Sequence, residues 1–209
     1  MRQILLVVDV QSCFSPPPWL IDGINALSTR LPCAALIELH DESQTPFSSQ
    51  LGWCPPRSDR CLVDAKQIFI KHGYAPSPAA MEYLQQCQAD RILVCGIQTD
   101  TCVLAAGFAL FDAGLHPTLI TDLTVGSSLD RSGELGIKLW KHHFGEGIVR
   151  SPDDFGYQGQ RPSHPELLDW LAADLMAGEW RLKRLHRMIL LSATWQQTSA
   201  WREEAGARD

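Results

Sequence analysis

The stretch RILVCGIQTDTCVLAAGFALFDAG, residues 91–114, decides the fold of this chain. It opens with a short apolar run that Gly96 closes, which is typical of a buried strand. Its second half carries apolar residues at helical spacing, which predicts a helix. Cys102 stands in the first turn of that helix, beside the N–H groups that a helix leaves free at its start. The stretch therefore predicts a strand, a turn with a cysteine, and a helix.

The same alternation of apolar runs and helix-like segments extends over the preceding and following residues. The other predicted strands are 4–10, 34–40, 67–72, 116–122 and 147–150, and the other predicted helices are 21–31, 78–88 and 130–144. Continuous apolar strands that alternate with helices indicate a parallel sheet with helices on both faces. We expect a three-layer α/β fold, with a pocket-bearing loop segment at 41–65.

From about Gly159 the pattern changes to helix-like segments only, and four of the seven tryptophans fall there. We expect two domains, residues 1–158 and a helical C-terminal extension of unknown role, residues 159–209.

Composition excludes several classes of protein. A net charge of −6 gives no basic surface for nucleic acid, and no apolar run reaches the length of a membrane span. The N-terminal apolar run meets Asp9 too soon for a signal peptide, and the seven cysteines include no C-x-x-C pair. We therefore expect a cytoplasmic protein with reduced thiols, no cofactor, and a small molecule as its substrate.

Three chemically active residues stand where predicted strands end: Asp9 after the first, Lys71 at the third, and Cys102 after the fourth. Ligands bind at the carboxyl ends of the strands in open parallel sheets, so these side chains are expected to converge. A thiol attacks as a thiolate, which a helix N-terminus and an ammonium favour, and an acid can carry its proton. Taken singly, each residue also fits a plain role: a core cysteine, a capping aspartate and a surface lysine.

The segments LLVVDVQ (5–11), IFIKHGYAPS (68–77) and CGIQTDTCVLAAGFALFDAG (95–114) resemble the isochorismatase-like cysteine hydrolases, a family that includes nicotinamidases. The resemblance implies a Rossmann-like sheet and a catalytic triad at Asp9, Lys71 and Cys102. It also implies a cis peptide at Ile97–Gln98, with the N–H groups of Gln98 and Cys102 as oxyanion donors. The tail from Ser163 resembles a fragment of an unrelated bacterial domain of unknown function.

The resemblance is incomplete at the metal site. Nicotinamidases of this family bind a metal through Asp-x-His and further histidines, whereas this chain has Glu38 and His40, followed by Gln44 and Arg57. Glu38 and His40 remain candidate ligands, or a solvated strand end, and we expect no metal.

Phe14, Trp53 and Tyr74 follow the catalytic segments. They either line an aromatic substrate pocket or pack as ordinary core residues. The resemblance also implies a homo-oligomer.

The sequence thus predicts an amidase-like enzyme, a cysteine hydrolase that cleaves a small amide or related C–N bond through a thioester. Two alternatives remain open: a non-catalytic binding or assembly protein on the same fold, and a redox-sensing thiol.

Overall fold

The computed structural model describes residues 2–145, 147–149, 165–178, 180 and 182–192. The chain divides into two compact units, Met1–Asp154 and Phe155–Asp209. The predicted domain boundary after residue 158 lies outside the described residues and stays a prediction.

Six strands form one sheet in the first unit. They are β1 (Gln3–Val8), β2 (Cys33–Glu38), β3 (Gln67–Lys71), β4 (Arg91–Ile97), β5 (Pro117–Val125) and β6 (Ile148–Val149). Their order across the sheet is β3-β2-β1-β4-β5-β6, and every pair is parallel. The predicted Rossmann-like parallel sheet is therefore confirmed.

Helices join the strands of this sheet. They are α1 (Pro18–Ser28), α2 (Phe47–Leu51), α3 (Pro78–Gln86), α4 (Cys102–Asp112) and α5 (Glu134–Phe144). The short helix α2 interrupts the segment 41–65, for which the sequence predicts only a loop.

The helices cover both faces of the sheet, because alternate side chains of β1 enter two separate cores. Leu5 and Val7 pack in one core with Leu20 of α1. Leu6 and Val8 pack in the other core. Residues of α3, α4 and α5 complete this second core, so the predicted three layers are present.

β1 and β4 approach most closely at Gly96, which pairs with Val8. Gly96 has a φ of 114°, and a Cβ atom at this position would lie 2.2 Å from the carbonyl oxygen of Val8. Glycine is the residue that tolerates both this positive φ and this contact. The small residue thus lets the strand before Cys102 lie against the strand before Asp9.

The described part of the second unit is helical, as the sequence predicts. It contains α6 (Pro165–Ala177) and α7 (Leu182–Leu190). The Arg184 guanidinium pairs with the Asp174 carboxylate at 2.6 Å and links the two helices. Among the described residues, no helix combines the length and apolar character that crossing a membrane requires.

Candidate active site

Four polar or reactive side chains meet at the carboxyl edge of four adjacent strands. Asp9 follows β1, Glu38 ends β2, Lys71 ends β3, and Cys102 begins the helix after β4. All four are buried, with exposed fractions of 1%, 2%, 1% and 6% in that order. The structure therefore brings the three residues of the predicted triad together, and it adds Glu38 as a fourth.

The ammonium group of Lys71 lies at the centre of this cluster. Its Nζ atom is 2.9 Å from Asp9 Oδ2, 3.2 Å from Glu38 Oε2 and 2.8 Å from the carbonyl oxygen of Gly73. It also lies 3.5 Å from Cys102 Sγ. An ammonium has three hydrogens to donate, and here they are directed to Glu38 Oε2, the carbonyl oxygen of Gly73 and Cys102 Sγ, while Asp9 is held by the ion pair. Lys71 therefore compensates the charge of two buried carboxylates at once.

Asp9 adopts a backbone conformation that is uncommon outside glycine, with a φ of 52°. Non-glycine residues in this region often occur at functional sites, and Asp tolerates it better than most. Burial raises the pKa of Asp9 from its ordinary value of 3.8 to about 6, although the Lys71 ammonium opposes the shift. Asp9 can therefore gain and lose a proton near neutral pH.

The surroundings of Cys102 oppose the ionisation of its thiol. Burial raises the pKa of the Cys102 thiol well above its usual value, and the Asp9 and Glu38 charges add to this. The Lys71 ammonium acts in the opposite direction but does not prevail. In the free protein, two carboxylates and a dry environment thus oppose a third negative charge. The thiol is protonated until a reaction removes its proton.

The turn before Cys102 contains the two backbone N–H groups that the resemblance names as oxyanion donors, those of Gln98 and Cys102. The peptide bond between Ile97 and Gln98 is cis, at the position that the resemblance implied. Within the described part of the chain, the N–H groups of Gln98 and Cys102 donate to no backbone or side-chain acceptor outside their own elements. The carboxylate of Asp100 fixes the turn by accepting bonds from the N–H and the hydroxyl of Ser127, at 2.8 and 2.6 Å.

Glu38 is the site residue whose position the sequence analysis did not foresee, since it named Glu38 only as a metal candidate. Its Oε2 atom lies 3.5 Å from Cys102 Sγ. The signal was present in the sequence: Glu38 ends an apolar strand, as Lys71 does, and Asp9 follows one. In the sheet, Glu38 pairs directly with Lys71.

The site contains one group of potential metal ligands, but Lys71 already occupies its centre. Ligand atoms of Asp9, Glu38 and Cys102 lie within 4.8 Å of one another, the only such set among the residues that the structure describes. The Lys71 ammonium is in contact with all three side chains. A second cation at this position would meet direct repulsion from the first.

The other residues of the family's metal motif do not join this group. His40 Nε2 lies 3.4 Å from Glu42 Oε2, and His40 lines a cavity of about 530 Å³ together with Arg57. The side-chain amide of Gln44 donates to the carboxylate of Asp41. The residues present therefore do not fit the family's metal site, and none of the steps proposed below uses a metal.

The three predicted pocket residues are connected through a fourth aromatic side chain, Phe47. The Phe14 and Trp53 rings lie 6.2 Å apart, and Phe47 lies 6.3 Å from Trp53 and 5.3 Å from Tyr74. About half of the surface of Trp53 and of Tyr74 is exposed. Burial raises the pKa of Tyr74, and the charges of Cys102 and Glu38 add to this shift. Tyr74 thus connects this aromatic cluster to the buried charges electrostatically.

Comparisons with known proteins agree with this fold. The isochorismatase domain model matches residues 62–149, and the model of a protein of unknown function (DUF1553) matches residues 138–209. The second match agrees with the predicted resemblance of the tail to an unrelated domain. No curated protein matches the chain in sequence.

Several solved structures share the fold at low sequence identity. An N-carbamoylsarcosine amidase from Thermoplasma acidophilum has a TM-score of 0.61 at 16% identity, over 75% of this chain and 100% of its own. A protein from L. infantum in complex with nicotinate has a TM-score of 0.60 at 22% identity, over 72% and 93%. A nicotinamidase from Bacillus subtilis has the same TM-score at 14% identity, over 72% and 100%.

The matched segment contains Lys71, the cis peptide and Cys102, and the sheet places Asp9 beside them. The predicted resemblance to the isochorismatase family is thereby confirmed for residues 62–149.

Proposed function

We propose that this protein hydrolyses a small amide, or a related C–N bond, through a thioester on Cys102. The observation that carries the proposal is the buried contact of an acid, an amine and a thiol at one edge of the sheet. The nicotinamidases and the carbamoylsarcosine amidase that share this fold are named for the cleavage of such bonds.

In the first step, ionised Asp9 takes the thiol proton while Cys102 Sγ forms a bond to the carbonyl carbon. A carboxylate with a pKa near 6 is a stronger base than an ordinary aspartate, and this favours the transfer. The carbonyl oxygen becomes an oxyanion, which the N–H groups of Gln98 and Cys102 stabilise.

In the second step, the C–N bond breaks and protonated Asp9 gives its proton to the departing nitrogen. Ammonia or an amine leaves, and the acyl group remains on Sγ as a thioester. Asp9 then takes a proton from water, whose oxygen attacks the thioester. The carboxylic acid leaves, and the thiol recovers its proton.

The role of Lys71 in this sequence is electrostatic. Burial lowers the pKa of Lys71, whereas the charges of Asp9, Cys102 and Glu38 raise it. The charges prevail, and the pKa lies above the usual value for lysine. Lys71 therefore stays charged throughout, and its contact with Sγ stabilises the negative sulfur that forms during attack.

The test is ammonia release from a panel of small amides, including nicotinamide, by the native protein and by Cys102→Ala and Cys102→Ser. We expect both variants to lose about a thousandfold or more of the activity of the native protein. Cys87→Ala is the matched control, because it removes a partly buried thiol at the end of α3. Its activity is expected to stay within a factor of about two.

The thioester is tested directly by adding hydroxylamine during turnover. A thioester intermediate partitions to a hydroxamate, and mass spectrometry of rapidly quenched protein finds the acyl group on the Cys102 peptide. Full activity of Cys102→Ala would exclude this mechanism. If no amide of the panel released ammonia and Cys102 carried no acyl group, the alternative of a non-catalytic binding protein would be favoured.

A further inference from the structure

Among the described residues, no hydrogen-bond donor reaches one carboxylate oxygen of Glu38, nor either carboxylate oxygen of the catalytic candidate Asp9. The Oε1 atom of Glu38 is fully buried, yet no described residue donates a hydrogen bond to it. A buried polar atom in this condition costs free energy unless another molecule satisfies it. A group that binds beside Cys102 is in a position to do so, because Oε2 of the same carboxylate contacts Sγ.

The position of Glu38 is fixed by the side chain of Gln11, which is fully buried. Gln11 Nε2 donates to the carbonyl oxygen of Glu38 at 2.9 Å, and the N–H of Glu38 donates to Gln11 Oε1 at 2.6 Å. The side-chain amide of Gln11 thus holds both backbone groups of Glu38. A second bond from Nε2 to Asp59 Oδ2, at 3.0 Å, fixes Gln11 in turn. Gln11 thus holds the backbone of Glu38, and the contact of Oε2 with Lys71 Nζ orients the carboxylate that carries the free oxygen.

The charge of the cluster is also unbalanced. Asp9 and Glu38 bring two carboxylates, whereas Lys71 brings one ammonium, and its hydrogens are directed to Glu38 Oε2, the carbonyl oxygen of Gly73 and Cys102 Sγ. When both carboxylates are ionised, the buried cluster carries one net negative charge. A ligand that brings an N–H donor, and best a positive charge, satisfies both the free oxygen and this charge.

We propose that Glu38 is a substrate-binding residue whose free carboxylate oxygen accepts an N–H group from the acyl side of the substrate. The site then prefers acyl groups with a cationic nitrogen close to the scissile carbonyl over neutral ones, and neutral ones over anionic ones. The statement about substrate rests on the proposed amide hydrolysis, whereas the charge preference at Cys102 does not depend on turnover.

The charge preference is tested with three small alkylating reagents: 2-bromoethylamine (a cation), iodoacetamide (neutral) and iodoacetate (an anion). The alkylation rate of Cys102 is followed by mass spectrometry, and each rate is divided by that of N-acetylcysteine with the same reagent. Comparing the reagents within one variant cancels any change in the fraction of thiolate. We expect the cation-to-anion ratio to exceed one in the native protein and to fall by about tenfold in Glu38→Gln.

Two further variants complete this experiment. Glu38→Asp keeps the charge, and it is expected to retain more of the cation preference than Glu38→Gln does. Glu82→Gln removes an equal charge from an exposed position on α3, and its ratio is expected to match that of the native protein. An unchanged ratio in Glu38→Gln would overturn the proposal. So would the absence of any reaction at Cys102 in the native protein, since the thiol would then have no space beside it for a ligand.

The preference for substrate is tested with glycinamide, propionamide and malonamate, which place an ammonium, a methyl group and a carboxylate at the same distance from the amide carbonyl. We expect kcat/KM to fall in that order and the glycinamide preference to disappear in Glu38→Gln. Turnover that depends on Cys102 but follows no such order would overturn this inference and leave the proposed hydrolysis intact. If the native protein turned over none of these amides but kept the expected alkylation ratio, the proposed hydrolysis would be overturned and the charge preference at Cys102 would stand.

Discussion

At the scale of single residues, the site consists of two buried carboxylates, one buried ammonium and one buried thiol. Burial disfavours every charge in this group, and the contacts with Lys71 compensate for part of that cost. As a result the pKa of Asp9 is about 6, so its carboxylate gains a proton just below neutral pH. In the proposed mechanism the thiol depends on that carboxylate to become a nucleophile, so the protonation state of one residue determines the reactivity of another.

The proposed activity is therefore expected to depend on pH in one direction across the neutral range. Asp9 acts as a base only when ionised, and its pKa is about 6. Below this value kcat/KM should fall about tenfold per pH unit, and above it kcat/KM should reach a plateau. No second rise is expected near pH 8 or 9, because the pKa of Cys102 lies well above its usual value.

The measurement is a pH profile of kcat/KM between pH 4.5 and 9.5 on the best amide of the panel, with the fold checked by circular dichroism at each pH. A profile that follows an ordinary aspartate, flat down to about pH 4, would contradict the assigned role of Asp9. A rise near pH 8.5 would show that Cys102 reacts as an independently ionising thiol.

Sequence reasoning found Asp9, Lys71 and Cys102 because each stands at the end of an apolar run or just beyond one. The same logic applied to Glu38, but the Glu-x-His pattern drew attention to metal binding. The raised pKa of Cys102 could not be predicted from the sequence, because it depends on the depth of burial and on side-chain distances that only the folded chain shows. The sequence predicts an ammonium and a helix N-terminus near Cys102, and both favour the thiolate. In the folded site, the carboxylates of Asp9 and Glu38 oppose it.

At the scale of elements, the apolar runs predicted every strand of the sheet, since each buried parallel strand reads as a continuous apolar segment. The ends were less accurate. β5 continues to Val125, beyond the predicted end at 122, and its register against β4 shifts between Val94 and Gly96. The polar Thr124 ends the apolar pattern, yet its hydroxyl donates to the carbonyl oxygen of Gly96 inside the sheet.

The close approach of β1 and β4 leads to a prediction about stability. Gly96→Ala places a Cβ atom against the backbone of Val8 and also imposes a positive φ on alanine. We expect a loss of about 3 kcal/mol or more in the free energy of unfolding, from the combined contact and backbone strain. Urea unfolding, followed by the fluorescence of tryptophan, measures this loss.

Gly114→Ala is the matched control, because Gly114 has a φ of 73° but no atom lies within 4 Å of the added Cβ. It carries the backbone strain alone, which costs about 1 to 2 kcal/mol. Equal losses in the two variants would mean that the contact with Val8 adds nothing, and they would contradict the close approach described here.

At the scale of the whole molecule, two family models match overlapping parts of the chain: the isochorismatase domain model matches residues 62–149, and the model of a protein of unknown function matches residues 138–209. The two hydrophobic cores of the sheet consist of residues between Ile4 and Val149. The first unit thus contains the material of its own core.

We therefore expect a chain that ends at Asp154 to fold, to unfold at a similar urea concentration, and to keep the proposed amidase activity within about a factor of three. Activity and unfolding of the shortened chain are compared with those of the full chain. Sedimentation of both forms also tests the predicted homo-oligomer, which the comparisons leave open. Failure of the shortened chain to fold would show that the tail contributes to the stability of the sheet.

The order of the strands has a consequence for the protein while it is being synthesised. β1 leaves the ribosome first, but one of its neighbours in the sheet is β4, which begins at Arg91. Chains are made from the N-terminus at about 5–20 residues per second, so β1 waits for seconds before this partner appears. The four residues of the site come from four separate strand ends, and the last of them is Cys102. A nascent chain that does not yet include Cys102 therefore cannot have assembled the candidate site.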